Sequence, residues 1–399
     1  MNSIQSKITS SDGKSMVGSK EWNDWQWQLS NRITKITELE KYINLTKLER
    51  KGIDSARTNF RWAITPYYAS LMDKSDPSCP LRIQQIPSIQ ELLDKSGLPD
   101  PLSEKDNSPV DSIVHVYPDR VAFKITNICP TYCRYCFREY FVGNTNEHHT
   151  RGKIQEGLEY IRQKPEIRDV LVTGGDPLLF SDNRLAKLLG EIRAIKHVEI
   201  IRLGTRTLCT LPQRITKNLC SILEKYHPIW LNTHFNHPNE LTHEANKACS
   251  LLLKHGVPLG NQTVLLKGVN DSIKIMKRLV HGLLKMRVRP YYIFQCQLLE
   301  GTSHLRTSIE KGLEILNHLQ GYTTGFGVPE YVLDTPYGKV PLSQNHILGR
   351  INDQVVVKTY NGKIWRELNP LEKPNPVVKL PEYDSNHFFD DDNSSSYIL

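Results

Sequence analysis

No run of apolar residues in this 399-residue chain approaches membrane-spanning length, and its opening stretch, MNSIQSKITSSDGKS, lacks the apolar centre of a secretion signal. Both absences lead us to expect a cytoplasmic protein with no membrane partner. A disulfide framework is lacking too: of eight cysteines, Cys79, Cys209, Cys220, Cys249 and Cys296 are scattered singly, unlike the dense pattern of small secreted domains. Nor is there a basic block. The formal charge of +8 hides an acidic end, Glu382, Asp384, Asp390, Asp391 and Asp392 without a Lys or Arg after Lys379, which leaves the remainder near +13. Those cations are dispersed along helical segments, so we expect solvated helix faces and an anion-binding site, and no nucleic-acid partner. At 39% hydrophobic and 24% charged residues the chain is globular, and its length suffices for one large domain with appendages or for two.

What the sequence does have is concentrated at Ile128-Cys129-Pro130-Thr131-Tyr132-Cys133-Arg134-Tyr135-Cys136-Phe137-Arg138. Three thiols spaced C-x3-C-x2-C, just after the β-branched run VAFKIT, can point into one loop as metal ligands. A structural zinc ion takes four closed ligands. No fourth cysteine lies in the loop, and His148 and His149 come a dozen residues later. Iron–sulfur clusters are ordinarily held by four cysteines, so a triplet suggests a four-iron cluster with one iron open to a bound molecule.

The rest of the chain reads as follows. Residues 1–20 are Ser-rich and expected to be disordered. A helical and wrapping region follows over 21–110, with apolar residues at three- and four-residue spacing (Trp25, Leu29, Ile33; Leu39, Tyr42, Ile43), a helix ending at Pro66, and a Pro-, Asp- and Ser-rich wrap over 75–120. The three Trp at 22, 25 and 27 are expected to be packing groups. From 121 onward short strands alternate with amphipathic helices. The strands are 121–126, 169–173, 198–204, 229–235, 258–266 and 289–295, and the helices lie near 151–163, 182–195, 213–226, 238–255, 271–286 and 306–319. Six βα units demand a parallel sheet, and periodicity alone allows an open three-quarter barrel or a doubly wound sheet. Polar residues favour the barrel, because they fall at the strand ends where such folds keep their chemistry: the Cys loop, Gly174-Gly175-Asp176, Thr205-Arg206, Asn232 and His234, Asn261 and Gln262, and Gln295 to Gln297. A strand-like Glu330-Tyr331-Val332-Leu333 and the turn Asp334-Thr335-Pro336-Tyr337-Gly338-Lys339 follow, and residues 380–399 are expected to be a disordered tail.

The motifs Trp22-Asn23-Asp24-Trp25, Tyr117-Pro118-Asp119-Arg120, the Cys loop, Leu231 through Glu240, Gly260-Asn261-Gln262 and Arg287-Val288-Arg289-Pro290-Tyr291-Tyr292 together resemble the lysine 2,3-aminomutase family of radical S-adenosylmethionine (SAM), pyridoxal 5′-phosphate (PLP) enzymes. The resemblance implies a partial (three-quarter) (β/α)6 barrel over 111–325, an N-terminal helical extension, and a short C-terminal segment, 326–379, carrying the PLP lysine. It implies that Cys129, Cys133 and Cys136 hold a [4Fe–4S] cluster and that Tyr135, Gly174, Gly175, Asp176, His234 and Gln262 surround SAM. It implies too that Lys339 anchors PLP and that Arg120 takes its phosphate; the family's second phosphate arginine is Val116 here. Arg138 matches the arginine for the substrate carboxylate. At the far end of the substrate, where lysine enzymes carry two aspartates, this chain has Asp334 and Gln297.

The reaction implied is transfer of the α-amino group of a basic amino acid to C3, L-lysine to β-lysine first. Arginine is the next reading, since a guanidinium can share donors between Asp334 and Gln297. Glutamate, or a lysine aminomutase feeding translation-factor modification, follow, and an RNA-modifying radical SAM enzyme is the reading from another class. The family implies a small-molecule amino-acid substrate, an electron donor of flavodoxin or ferredoxin type, and a homo-oligomer. No Cys follows Cys296, where the family carries a Cys-rich zinc element.

Overall fold

One nine-stranded sheet carries the residues that line the lumen. The computed structural model describes residues 17–144, 151–343, 346–352, 354–359 and 361–368. The expectations for 1–16, for His148 and His149 and for the acidic tail lie outside them. The sheet runs in the order β1 (Ile113–Tyr117), β2 (Arg120–Thr126), β3 (Asp169–Gly174), β4 (Ile200–Gly204), β5 (Ile229–Thr233), β6 (Leu259–Leu265), β7 (Arg289–Gln295), β8 (Glu330–Thr335) and β9 (Gly338–Pro341). Strands β2 through β8 are parallel, and an antiparallel strand pairs with each flank, β1 on β2 and β9 on β8.

This is the expected partial barrel with one more parallel strand than the six counted, the seventh being the run at 330. Its edges, β1 and β9, are not paired as strands. They meet through one hydrogen bond, in which the Lys339 backbone N–H donates to the Tyr117 hydroxyl at 2.7 Å. The chain divides into compact units after residue 344, so the turn carrying Lys339, expected in a segment of its own over 326–379, is continuous with the barrel sheet. The second unit, described by itself, is a three-stranded antiparallel sheet of β10 (Ile347–Ile351), β11 (Gln354–Lys358) and β12 (Ile364–Leu368).

The barrel helices form where their apolar residues make a stripe of period 3 to 4. Ser181 caps the helix Asp182–Arg193, which buries Leu185, Leu188, Leu189 and Ile192. Thr242 caps His243–Lys254, which buries Ala245, Ala248, Cys249 and Leu252. These stripes pack on Val170, Val172, Ile201, Leu203 and Leu231 of the sheet in one continuous core. Each fully buried Leu or Ile contributes about 1.5–3 kcal/mol.

Two details of the N-terminal region depart from expectation. Pro66 begins a helix (Pro66–Ala69): it sits at the first helical position, where its missing N–H is no loss, and the Thr65 side chain caps it. The preceding helix ends earlier, at Asn59. The segment read as an extended wrap contains short helices at Pro80–Ile83 and Ile89–Leu93 and the strand β1, whose pairing to β2 supplies what its composition does not. Of the three Trp, Trp22 is buried, while Trp25 and Trp27 are half-buried, Trp25 beneath the Arg214 guanidinium. Among the described residues no helix is long and apolar enough to cross a membrane.

Candidate active site

The Cys loop leaves β2 and is held from outside the barrel by the N-terminal region. Tyr132 N donates to Ala63 O (3.2 Å) and Arg134 N to Gln84 O (3.0 Å), while Arg32 donates to Cys129 O (2.8 Å). Arg134, 2% exposed, is clamped by Glu91 and donates to Arg61 O. Cys129, Cys133 and Cys136 are each half-buried. Burial pushes the Cys136 thiol up to about 12 and raises the Cys129 thiol well above its ordinary value, so both carry protons in the metal-free chain, and binding a metal through them would release those protons. Among the described residues no group of three His, Cys, Asp or Glu closes on a point as a single ion requires. A four-iron cluster is a larger body, and three thiols on one loop beside a buried guanidinium suit its negative charge.

Gly174-Gly175-Asp176 has a structural part in the fold. Gly175 N donates to Thr126 O and Asp176 N to Ile128 O (2.8 Å), splicing the end of β3 to the root of the Cys loop. A Cβ on Gly175 would stand 2.4 Å from Ile128 O, and one on Gly174, whose φ is +118°, 2.4 Å from Thr126 O. The glycines are required by this close approach. Asp176 does not face the cavity: it is 2% exposed, and its carboxylate accepts from Thr205 Oγ1 (2.7 and 2.8 Å), Arg206 N (2.9 Å) and Leu178 N (3.1 Å). It fastens the β4 loop to the β3 loop. Gly175→Ala is therefore expected to cost about 1–3 kcal/mol and to lower iron retention after anaerobic reconstitution. Wild-type stability and iron content in that variant would contradict this role.

Behind the loop lies a polar network that the sequence reading did not find. Arg206, at the end of β4 and 9% exposed, donates to Cys133 Sγ (2.7 Å), Gln84 Oε1 (2.7 Å) and Glu240 Oε1 (2.9 Å). Glu240 is fully buried and also accepts from Tyr68 Oη (2.7 Å), Gln84 Nε2 (3.1 Å), Asn236 N (2.6 Å) and His237 N (3.0 Å). Burial works to raise its pKa, but Arg206 and these donors outweigh it and hold the carboxyl below its ordinary value. The only signals in the sequence were Thr205-Arg206 after the third expected strand, 198–204, and the polar residues of the 231–240 motif.

Tyr135 and His234 belong to the same network, and His234 is not a free cavity group. Its Nδ1 faces Gln262 O, a pure acceptor, and must carry the proton; Nε2 then accepts from the Tyr135 hydroxyl at 2.8 Å. Burial, then Arg206, pushes the His234 pKa down to about 3, so the ring is neutral. Tyr135 and Gln262 do line the cavity, a lumen of about 480 Å³ through the barrel.

Arg120, Arg138, Gln297, Asp334 and Lys339 line the same lumen. Arg138 is already paired, donating through Nε and Nη2 to both oxygens of Glu104 (2.6 to 3.0 Å), a carboxylate of the wrapping segment, and through Nη1 to Thr173 Oγ1 (3.2 Å). Burial tends to raise Glu104, but Arg138 outweighs it and keeps the carboxyl ionised. The Arg120 guanidinium stacks on the Tyr117 ring (3.7 Å) and pairs with Asp119 (2.8 Å), and Val116 lies beside them on the lumen. Lys339 Nζ is 3.3 Å from Asp334 Oδ1 and lies between the rings of Tyr117 and Phe294, at 5.9 and 5.6 Å. Three residues of the Cys loop, Tyr135, Phe137 and Arg138, thus share one hollow with Arg120, Asp334 and the Lys339 amine.

Comparison with known proteins agrees with this arrangement. Residues 123–280 match the family model for the radical SAM superfamily, and residues 316–390 that for lysine-2,3-aminomutase. The chain is 48% identical to the L-lysine 2,3-aminomutase of Fusobacterium nucleatum, over 93% of this chain and 87% of that one. It is 49% identical to the L-lysine 2,3-aminomutase of Clostridium subterminale, over 89% and 86%. It is 47% identical to a glutamate 2,3-aminomutase of Clostridioides difficile, over 86% and 82%.

Proposed function

Because the chain belongs to the lysine 2,3-aminomutase family of radical SAM isomerases, we propose that it moves the α-amino group of a basic amino acid to C3, with L-lysine, giving β-lysine, as the first substrate. The observation that carries this reading is that Tyr135, Phe137 and Arg138 of the Cys loop line one lumen together with Lys339 and Asp334. When bound, a [4Fe–4S] cluster with SAM supplies a radical able to take hydrogen from an unactivated carbon, and PLP supplies an imine across which nitrogen can shift.

This chain's residues would divide the work as follows. Cys129, Cys133 and Cys136 hold the cluster, and Arg206 fixes the second of them. Tyr135, Gln262 and the backbone of the glycine turn line the SAM side, with His234 and Asp176 acting through Tyr135 and the β4 loop. Lys339 is the amine that anchors PLP, and Arg120, held flat on Tyr117, is placed for its phosphate. Arg138, which lines the lumen beside Thr173, is placed for the substrate carboxylate. The Tyr117 to Lys339 hydrogen bond draws the barrel edges together and limits entry of water. A one-electron donor of flavodoxin or ferredoxin type and assembly of identical copies are part of the same proposal.

The side-chain end of the substrate is set by Asp334 and Gln297. An anionic tail 4 Å from Asp334 would be repelled by about 4 kcal/mol at an effective dielectric near 20, and neither position offers a Lys or Arg to offset it. That weighs against glutamate, while arginine remains the second reading, because Gln297 and Asp334 together present oxygens to a planar five-donor cation. The test is anaerobic incubation with SAM, PLP, reductant and each amino acid, with the product identified as a β-amino acid by NMR. No β-amino acid from lysine or arginine would overturn the reading. Gln297→Asp is expected to raise lysine turnover relative to arginine, and an unchanged ratio would remove Gln297 from the account of selectivity.

A further inference from the structure

Along β2, Val121, Phe123 and Ile125 pack into the apolar core, so the alternation of the strand turns Lys124 to the opposite face of the sheet. There it is only 4% exposed. Its partner across the pairing with β3 is Thr173, the residue whose Oγ1 accepts from Arg138 Nη1 at 3.2 Å. The Lys124 ammonium lies over the rings of Tyr140 and Phe141, at 5.9 and 5.5 Å, and the Tyr140 hydroxyl donates to Glu104 Oε2 at 2.9 Å. Lys124, Arg138 and Glu104 are thus gathered about Thr173 and Tyr140. Arg138 grips both oxygens of Glu104, whereas Lys124 has no direct ion pair among the described residues. Burial pulls the Lys124 pKa below its ordinary value, and Glu104 opposes that fall.

We propose that Lys124 is a positioning residue for the substrate carboxylate: its buried ammonium gives the group about Thr173 one net positive charge, which a carboxylate at Arg138 matches. The inference rests on the reading that Arg138 receives that carboxylate. Arg138 and Glu104 carry no net charge between them, so without Lys124 one guanidinium would be divided between two anions. Burying a second carboxylate beside a neutral pair is unfavourable. With Lys124 the count becomes two cations to two carboxylates. Asp100 and Asp111 act on Lys124 more weakly than Glu104 does, and Asp111 is itself paired with Lys153 at 2.8 Å. The carboxylate keeps its charge from substrate to product, so the same cation serves every stage of the reaction.

Two probes isolate the charge effect. 5-Guanidinopentanoic acid and its primary amide share a cationic tail, have no amine that could join PLP, and differ only in the carboxylate. Their dissociation constants are measured by calorimetry on the anaerobically reconstituted, PLP-loaded chain with SAM. We expect the wild type to bind the acid at least about tenfold more tightly than the amide, and Lys124→Met to lose most of that preference by weakening the acid about tenfold while the amide is unaffected. Lys124→Gln, which keeps a polar group in place of the charge, is expected to do the same. Acid and amide weakened alike in both variants would mean a structural role and would overturn the inference. A preference that stays intact in both Lys124 variants but is lost in Arg138→Gln would overturn it too, and leave the Arg138 reading standing. A preference that survives Arg138→Gln, or is absent from the wild type, would overturn both.

Discussion

Arg206→Gln is expected to lower the folding free energy by about 3–5 kcal/mol, the range for breaking a buried ion pair on one side. The loss arises chiefly at Glu240, which has no exposure and would keep its charge without the guanidinium that holds it. Four further donors, from Tyr68, Gln84, Asn236 and His237, remain on Glu240, so the loss should stop short of unfolding the chain. The pair is poor evidence of stabilisation in itself, because apolar groups of the same shape do as well in many cores. Its position explains it better: the same guanidinium reaches Cys133 Sγ, and because it cannot lose its proton it presents a permanent positive charge to that sulfur. Arg206→Gln is therefore also expected to retain less iron. Adding Glu240→Gln should recover part of the stability, since both charges are then gone, but not the iron. Denaturant titration and iron analysis of the two variants check this. A single variant within 1 kcal/mol of wild type, or a double variant with wild-type iron, would contradict it.

Cys133→Ala is expected to abolish the cluster. On the proposed ligation, three thiols already leave one iron without a protein ligand, so removing one leaves two, and no other cysteine of the described residues belongs to the loop. The comparison that gives the result meaning is Cys296→Ala. Cys296 is 2% exposed and packs with Tyr135 in the small apolar cluster that Cys133 borders, so it is a thiol near the site with no ligand role. Iron content after anaerobic reconstitution and the EPR signal of the reduced sample should both be lost in Cys133→Ala, Cys129→Ala and Cys136→Ala and kept in Cys296→Ala. Loss of iron in all four alike would mean that disturbance of the loop, and not ligation, accounts for the effect.

The parts of this protein legible in its sequence are those written in local patterns. Helix stripes such as Leu185, Leu188, Leu189 and Ile192 repeat at the helical period, the strand runs are β-branched, and a triplet of cysteines cannot hide. Polar residues at successive strand ends gave the lumen its location. What the sequence hid are pairings across long separations, which leave no period to read. Glu104 lies 34 residues from Arg138, and Glu240 34 from Arg206, and nothing local marks either as the partner. The same blindness hid the protein partners of Asp176 and His234, because a polar residue at a strand end reads alike whether it faces the cavity or the neighbouring loop. The strand β1 was missed because its neighbours are rich in proline and aspartate and its pairing with β2 is a tertiary fact. Only the fold could bring Asp334 across from Lys339, since the register of the hairpin, and not the spacing of five residues, makes them neighbours.

The measurement that bears most directly on the account is the identity of the lysine that captures the coenzyme. Anaerobically reconstituted protein is loaded with PLP, reduced with borohydride, digested and mapped by mass spectrometry. The account predicts a single pyridoxyl group on Lys339, in the lumen that Tyr135, Phe137 and Arg138 of the Cys loop also line, and none in Lys339→Ala. A pyridoxyl group on an exposed lysine such as Lys95 or Lys311, with Lys339 unmodified, would contradict it.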